Sequence, residues 1–81
     1  MEGRIPIPIR PERLPIVIGK HGTTKRMLEE TFNIRLEIDS KNFVVYIVAK
    51  TETTPIDVIK AQQALQAISL GFSLFSEISE A

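Results

Sequence analysis

The residues of this chain best suited to chemistry are Gly19, Lys20, His21 and Gly22, followed closely by Lys25 and Arg26. Glycine at both corners of a turn admits backbone angles that other residues avoid, and lets another molecule approach without meeting a Cβ. The two residues between are polar and can be cationic. Helix-type spacing begins at about Gly22, so the unpaired N–H groups of a helix start would point back at the turn. That combination suits an anion, above all a phosphate. A G-x-x-G alone is common by chance; its place between two helix-patterned segments makes it informative. The charges add a second argument. Cations near a helix N-terminus oppose its dipole by roughly 0.3–1 kcal/mol each, where Asp or Glu would be favourable. Lys20, His21, Lys25 and Arg26 break that rule together. The bland alternative is a solvated face on which Lys25 pairs with Glu29 and Arg26 with Glu30.

Other chemistries find little support. His21 is the sole histidine and no cysteine is present, so a metal site would lack ligands and disulfides are excluded. No nucleophile lies at a recognisable spacing from His21, and no phosphate-hydrolysing P-loop is present. The chain therefore reads as a non-enzyme without cofactor or metal. Net charge is zero, which argues against a broad electrostatic attachment to nucleic acid. The distribution is uneven, however. Residues 1–26 carry six basic and two acidic side chains, and residues 27–81 four basic and eight acidic, so positive charge gathers around the glycine turn. The longest apolar run, residues 43–49, is far too short to span a bilayer, and a soluble cytoplasmic protein is the expectation.

The elements that must position the turn can be read around it. Ile5-Pro6-Ile7-Pro8-Ile9 alternates strictly, and its prolines make it a first or edge strand. Pro11 suits the first position of a short helix, with Pro15 near the limit of a first turn, so this helix starts late or is irregular. Leu14, Val17 and Ile18 form its apolar side, and Gly19 ends it. From Gly22 to Asn33 the spacing is helical, with Thr24, Met27, Leu28, Thr31 and Phe32 on one stripe and Asn33 as the stop. Residues 34–39 alternate as a half-buried strand, Asp39 to Asn42 is turn chemistry, and Phe43 to Ala49 returns as a second, more buried strand. Thr54-Pro55-Ile56-Asp57 opens a last helix that runs to about Leu70, with Val58, Ala61, Leu65 and Ile68 on its buried side and Gly71 stopping it. The 81 residues make one α+β domain, β-α-α-β-β-α, with a three-stranded antiparallel sheet and all three helices on one face. The domain spans residues 1–73. Residues 74–81 form a tail that reads as the first turns of a further helix.

With its glycine turn in Leu14-Pro15-Ile16-Val17-Ile18-Gly19-Lys20-His21-Gly22, the helix to Phe32 and the strand to Ile38, the sequence resembles a KH domain of the eukaryotic type, type I. The segment from Lys60 to Ser73 is similar to the one closing the first KH module of the archaeal partner-of-Nob family of ribosome-biogenesis proteins. Members of that family carry two such modules and assist maturation of small-subunit ribosomal RNA. This chain stops after one, so it is a piece of such a protein or a stand-alone relative. The resemblance implies binding of single-stranded RNA, with the glycine turn clamping the backbone of about four nucleotides and an aliphatic groove receiving their bases. On that pattern Gly19, Lys20, His21 and Gly22, with Lys25 and Arg26, face phosphates. Leu14, Val17 and Ile18 help form the groove floor, Ile38 lies beside base edges, and Arg35 and Lys41 stand at the rim. The implied partner is ribosomal RNA; the apolar tail would meet a protein or a second KH module. The competing reading is a KH-fold protein-interaction module without significant RNA binding.

Overall fold

The alternation of isoleucine and proline at the start of the chain decides how that segment sits in the sheet. In the computed structural model, which describes residues 3–71, strand β1 (Arg4–Pro8) pairs antiparallel with β3 (Val44–Ala49). On its other side β3 pairs antiparallel with β2 (Ile34–Asp39), giving the order β1-β3-β2. Ile5 lies opposite Ile47 and Ile7 opposite Val45. One residue beyond the strand, Ile9 N–H still donates to the Phe43 carbonyl at 2.9 Å. Antiparallel strands alternate between residues that bond their partner and residues that face away. The N–H groups of Ile5, Ile7 and Ile9 therefore face β3, and Pro6 and Pro8 fall where their missing donors would have met solvent. The prolines also blunt this edge against pairing with another strand.

One face of the sheet carries the core. Ile7, Leu36, Val45 and Ile47 pack against Val17, Leu28, Ala61, Leu65 and Ile68 from the helices, with Ile9, Leu14 and Ile34 completing the cluster. Burial of each large aliphatic contributes about 1.5–3 kcal/mol. The opposite face is polar at its centre, where Arg4 bonds Glu37 at 2.7 Å and lies 5.1 Å from the centre of the Tyr46 ring. All three helices cover the core face, as the one-sided strands require.

The helices follow their caps. Pro11–Arg13 forms a 3-10 turn and α1 occupies Leu14–Ile18, so the two prolines split the expected single helix. Helix α2 spans Thr23–Thr31 and ends where Asn33 takes a left-handed φ of 53°. Thr31 faces solvent instead of joining the buried stripe, because Phe32 makes the last contact with the core before the chain turns. Helix α3 spans Pro55–Ser69. Its start is a reciprocal box in which Asp57 N–H donates to Thr54 Oγ1 and Thr54 N–H to Asp57 Oδ2. Arg13 Nε donates to the Ile68 carbonyl at 2.9 Å, placing a cation at the favourable end of α3. Phe43 departs from expectation. It does not open β3 but closes the preceding turn at φ 57°, and its ring is exposed rather than buried. The tail, residues 74–81, lies outside the described residues.

Candidate nucleic-acid interface

The turn between α1 and α2 is built by its two glycines in different ways. Gly19 caps α1, its N–H donating to the Pro15 carbonyl at 2.8 Å, and sits at φ 78°, ψ 173°, which only glycine adopts readily. A Cβ there would stand 2.7 Å from the backbone nitrogen of Thr24. Gly19 thus lets the start of α2 pack directly on the turn. Gly22 is left-handed at φ 75°, ψ 15°, yet a Cβ on it would meet nothing within 4 Å. Its bare side opens outward. Between them Lys20 and His21 are exposed at the tip, and His21 itself is left-handed at φ 56°. The Lys20 carbonyl accepts both the N–H and the hydroxyl of Thr23, so the first amide of α2 is satisfied within the turn.

The neighbouring cations divide. Lys25 Nζ bonds Glu29 Oε2 at 3.2 Å, and the same oxygen accepts the Leu36 N–H at 2.8 Å. Lys25 is thereby drawn toward the joint between α2 and β2, while its side chain stays partly exposed. Arg26 is not paired with Glu30; its Nη2 lies 3.5 Å from the His21 carbonyl oxygen, a weak contact at the edge of hydrogen-bond range, and its side chain is exposed. The pair Lys20 and His21 is what the turn presents outward.

Beside the turn runs an apolar groove of about 400 Å³, lined by Pro11, Leu14, Pro15, Ile18, Gly19, Ser40 and Phe43. Leu14 and Ile18 both line it, although Leu14 is also part of the buried core. Val17 is wholly buried and belongs to the core beneath, because its face of α1 turns onto the sheet. Arg35 is also misplaced by the expectation. Strand alternation sends it to the outer face, where it lines a separate cavity of about 550 Å³ with Arg4, Glu37 and Lys50. That cavity is larger, but it lies on the far side of the sheet from the glycine turn. Lys41 is exposed in the β2–β3 turn, next to the groove-lining Ser40. This turn is held by Asp39, whose Oδ1 accepts the N–H groups of Lys41 and Asn42 and whose Oδ2 accepts the Asn42 side chain. These bonds, the Asn42 side chain foremost, hold the Asp39 carboxyl below its ordinary pKa. Pro11, Pro15, Ser40 and Phe43 were not anticipated; only the fold brings the two loops together.

Ile38 is half-buried against the core, but its backbone matters more. The Leu36 N–H leaves the sheet toward Glu29, so by alternation the Ile38 N–H and C=O also face the free edge of β2. A donor and an acceptor thus stand together on the free edge, where a polar planar ligand could bond them.

Comparisons with known proteins agree with this fold. No family model matches the chain. A KH domain-containing protein of Methanocaldococcus jannaschii is 32% identical over 62 residues, covering 76% of this chain and 27% of that protein. Among solved structures, Dim2p from Pyrococcus horikoshii superposes with a TM-score of 0.83 at 35% identity, over 88% of this chain and 43% of that one. A chain in the complex of a/eIF2alpha, aDim2p and rRNA from the same organism gives 0.82 at 34% identity, over 89% and 41%. A protein of unknown function from Aeropyrum pernix gives 0.84 at 33% identity, over 89% and 39%. The chain spans about a quarter of the curated relative and about two fifths of each solved chain.

Proposed function

We propose that this chain, a domain of the type I KH fold, binds single-stranded RNA without catalysis and serves the maturation of ribosomal RNA. The observation that carries the reading is the joint placement of the glycine turn, the apolar groove and the open β2 edge. Gly22 leaves room for the sugar-phosphate backbone, and Lys20 and His21 supply charge and donors to it. The groove takes the faces of the bases, and the Ile38 N–H and C=O bond one base edge. Lys41 adds a cation at the rim, and the exposed Arg26 beside the turn adds another toward the phosphates. The similarity to a chain crystallised with rRNA favours ribosomal RNA as the partner.

Titration with short single-stranded RNAs tests this, with Lys20→Asp/His21→Asp as the paired variant. Negative charge before a helix start is compatible with folding, so melting should hold while affinity collapses. Two to three phosphate contacts give a slope of log K against log[salt] of roughly −1.4 to −2.1. Unchanged affinity in the folded double variant would remove the turn from the site. A second reading, a protein-interaction module, is favoured by the exposed Ile56 and Ile59 on α3. It predicts a folded parent that binds no RNA.

A further inference from the structure

The groove has one wall that its aliphatic lining does not explain. Phe43 is 39% exposed and holds a φ of 57°, a conformation that glycine or asparagine adopts at far lower cost. Strain of this kind in a bulky residue persists where the surroundings enforce it, and it gathers at ligand sites. Two features enforce it here. The Phe43 carbonyl is fixed by the Ile9 N–H, and the preceding loop is fixed by the three bonds to Asp39. The result is an aromatic residue on the groove wall, beside Pro11, Pro15, Ile18 and Ser40.

We propose that the Phe43 ring is a stacking platform for one nucleobase, which enters the groove between it and the Pro11–Ile18 wall. The inference rests on the reading of this groove as the RNA site. A base fits the slot chemically. Its faces are apolar and polarisable, matching a phenyl ring and two proline rings. Its edge is polar and finds Ser40 at the groove and the backbone groups of Ile38 on the strand edge. Its phosphate finds the turn at Gly19, which borders the same groove and presents Lys20. An apolar peptide segment would leave that cationic end without a partner. Stacking tolerates any base, so Phe43 supplies affinity and the edge groups supply preference.

The test uses a short mixed-sequence single-stranded RNA carrying 2-aminopurine at each position in turn. Quenching at one position is expected with the parent protein. Phe43→Leu keeps an apolar side chain under the same backbone strain and removes only the ring. It should lower affinity roughly 5- to 150-fold and abolish the quenching. Phe43→Tyr should retain both. Phe43→Asn eases the backbone, so its melting temperature should hold or rise while affinity falls. Parent-like affinity and quenching in Phe43→Leu and Phe43→Asn would overturn the platform. If Lys20→Asp/His21→Asp still loses binding in that case, the RNA site stands without it. A parent that binds no strand overturns both.

Discussion

Replacing each glycine of the turn by alanine in separate proteins should separate the one that folds the chain from the one that serves the ligand. At Gly19 the new Cβ would sit 2.7 Å from the Thr24 nitrogen, within the first turn of α2. That nitrogen is backbone and cannot rotate aside, so the start of the helix must move. Overpacking of this kind costs about 1–3 kcal/mol. The backbone at φ 78°, ψ 173° adds about 1–3 kcal/mol for a residue with a Cβ. Restricting the unfolded chain returns about 0.4–1 kcal/mol. The net loss is about 1–6 kcal/mol and centres on about 3, a large part of what a domain of this size possesses. At Gly22 the Cβ meets open space, and the left-handed strain of about 1–2 kcal/mol is partly offset by the same entropy gain of about 0.4–1 kcal/mol. Urea unfolding followed by circular dichroism measures both, and the slope of the transition should be unchanged. Gly19→Ala should also lower Tm by well over about 8 °C, and Gly22→Ala by less than that. RNA affinity should show the reverse order relative to the folded fraction, since only the Gly22 methyl points outward. Equal destabilisation by the two variants would refute this division of roles.

Two further outcomes follow from single contacts. Glu29→Ala removes the acceptor for the Leu36 N–H and the partner of Lys25, so stability should fall by about 1.5–3 kcal/mol and Leu36 amide exchange should accelerate. Unaltered Leu36 protection would show that the joint between α2 and β2 does not depend on this carboxylate. The Asp39 carboxyl has a depressed pKa in the folded chain, so its contribution is present above the unfolded value and is lost as pH falls through the folded one. The β2–β3 turn should therefore loosen below about pH 4. A carboxyl NMR titration should place Asp39 low and Asn42→Ala should raise it; an unmoved midpoint would exclude Asn42 as the main cause.

Local signals in the sequence determined a large part of this protein. The Thr54 box, the proline at the start of α3 and the left-handed stops at Asn33 and Gly71 act over a few residues, so no distant contact is needed to read them. The strict alternation of residues 34–39 and 5–9 likewise gave one-sided strands, and with them the layer of helices. The same alternation already opposes Arg35 to the groove, a signal that the resemblance to known domains overrode. The glycine turn was legible because its spacing is local. What the turn could reach was not. That Glu29 joins Lys25 to the Leu36 N–H, that Arg26 lies near the His21 carbonyl, and that Val17 sinks into the core depend on how α2 and α1 lie on the sheet. The central position of β3 and the meeting of Phe43 with Pro11 and Pro15 likewise depend on the folded sheet. Phe43 and Pro15 are far apart along the chain, and periodicity carries no information about which loop closes over which helix. Packing of the shared core decides that, because only one arrangement buries both apolar faces at once.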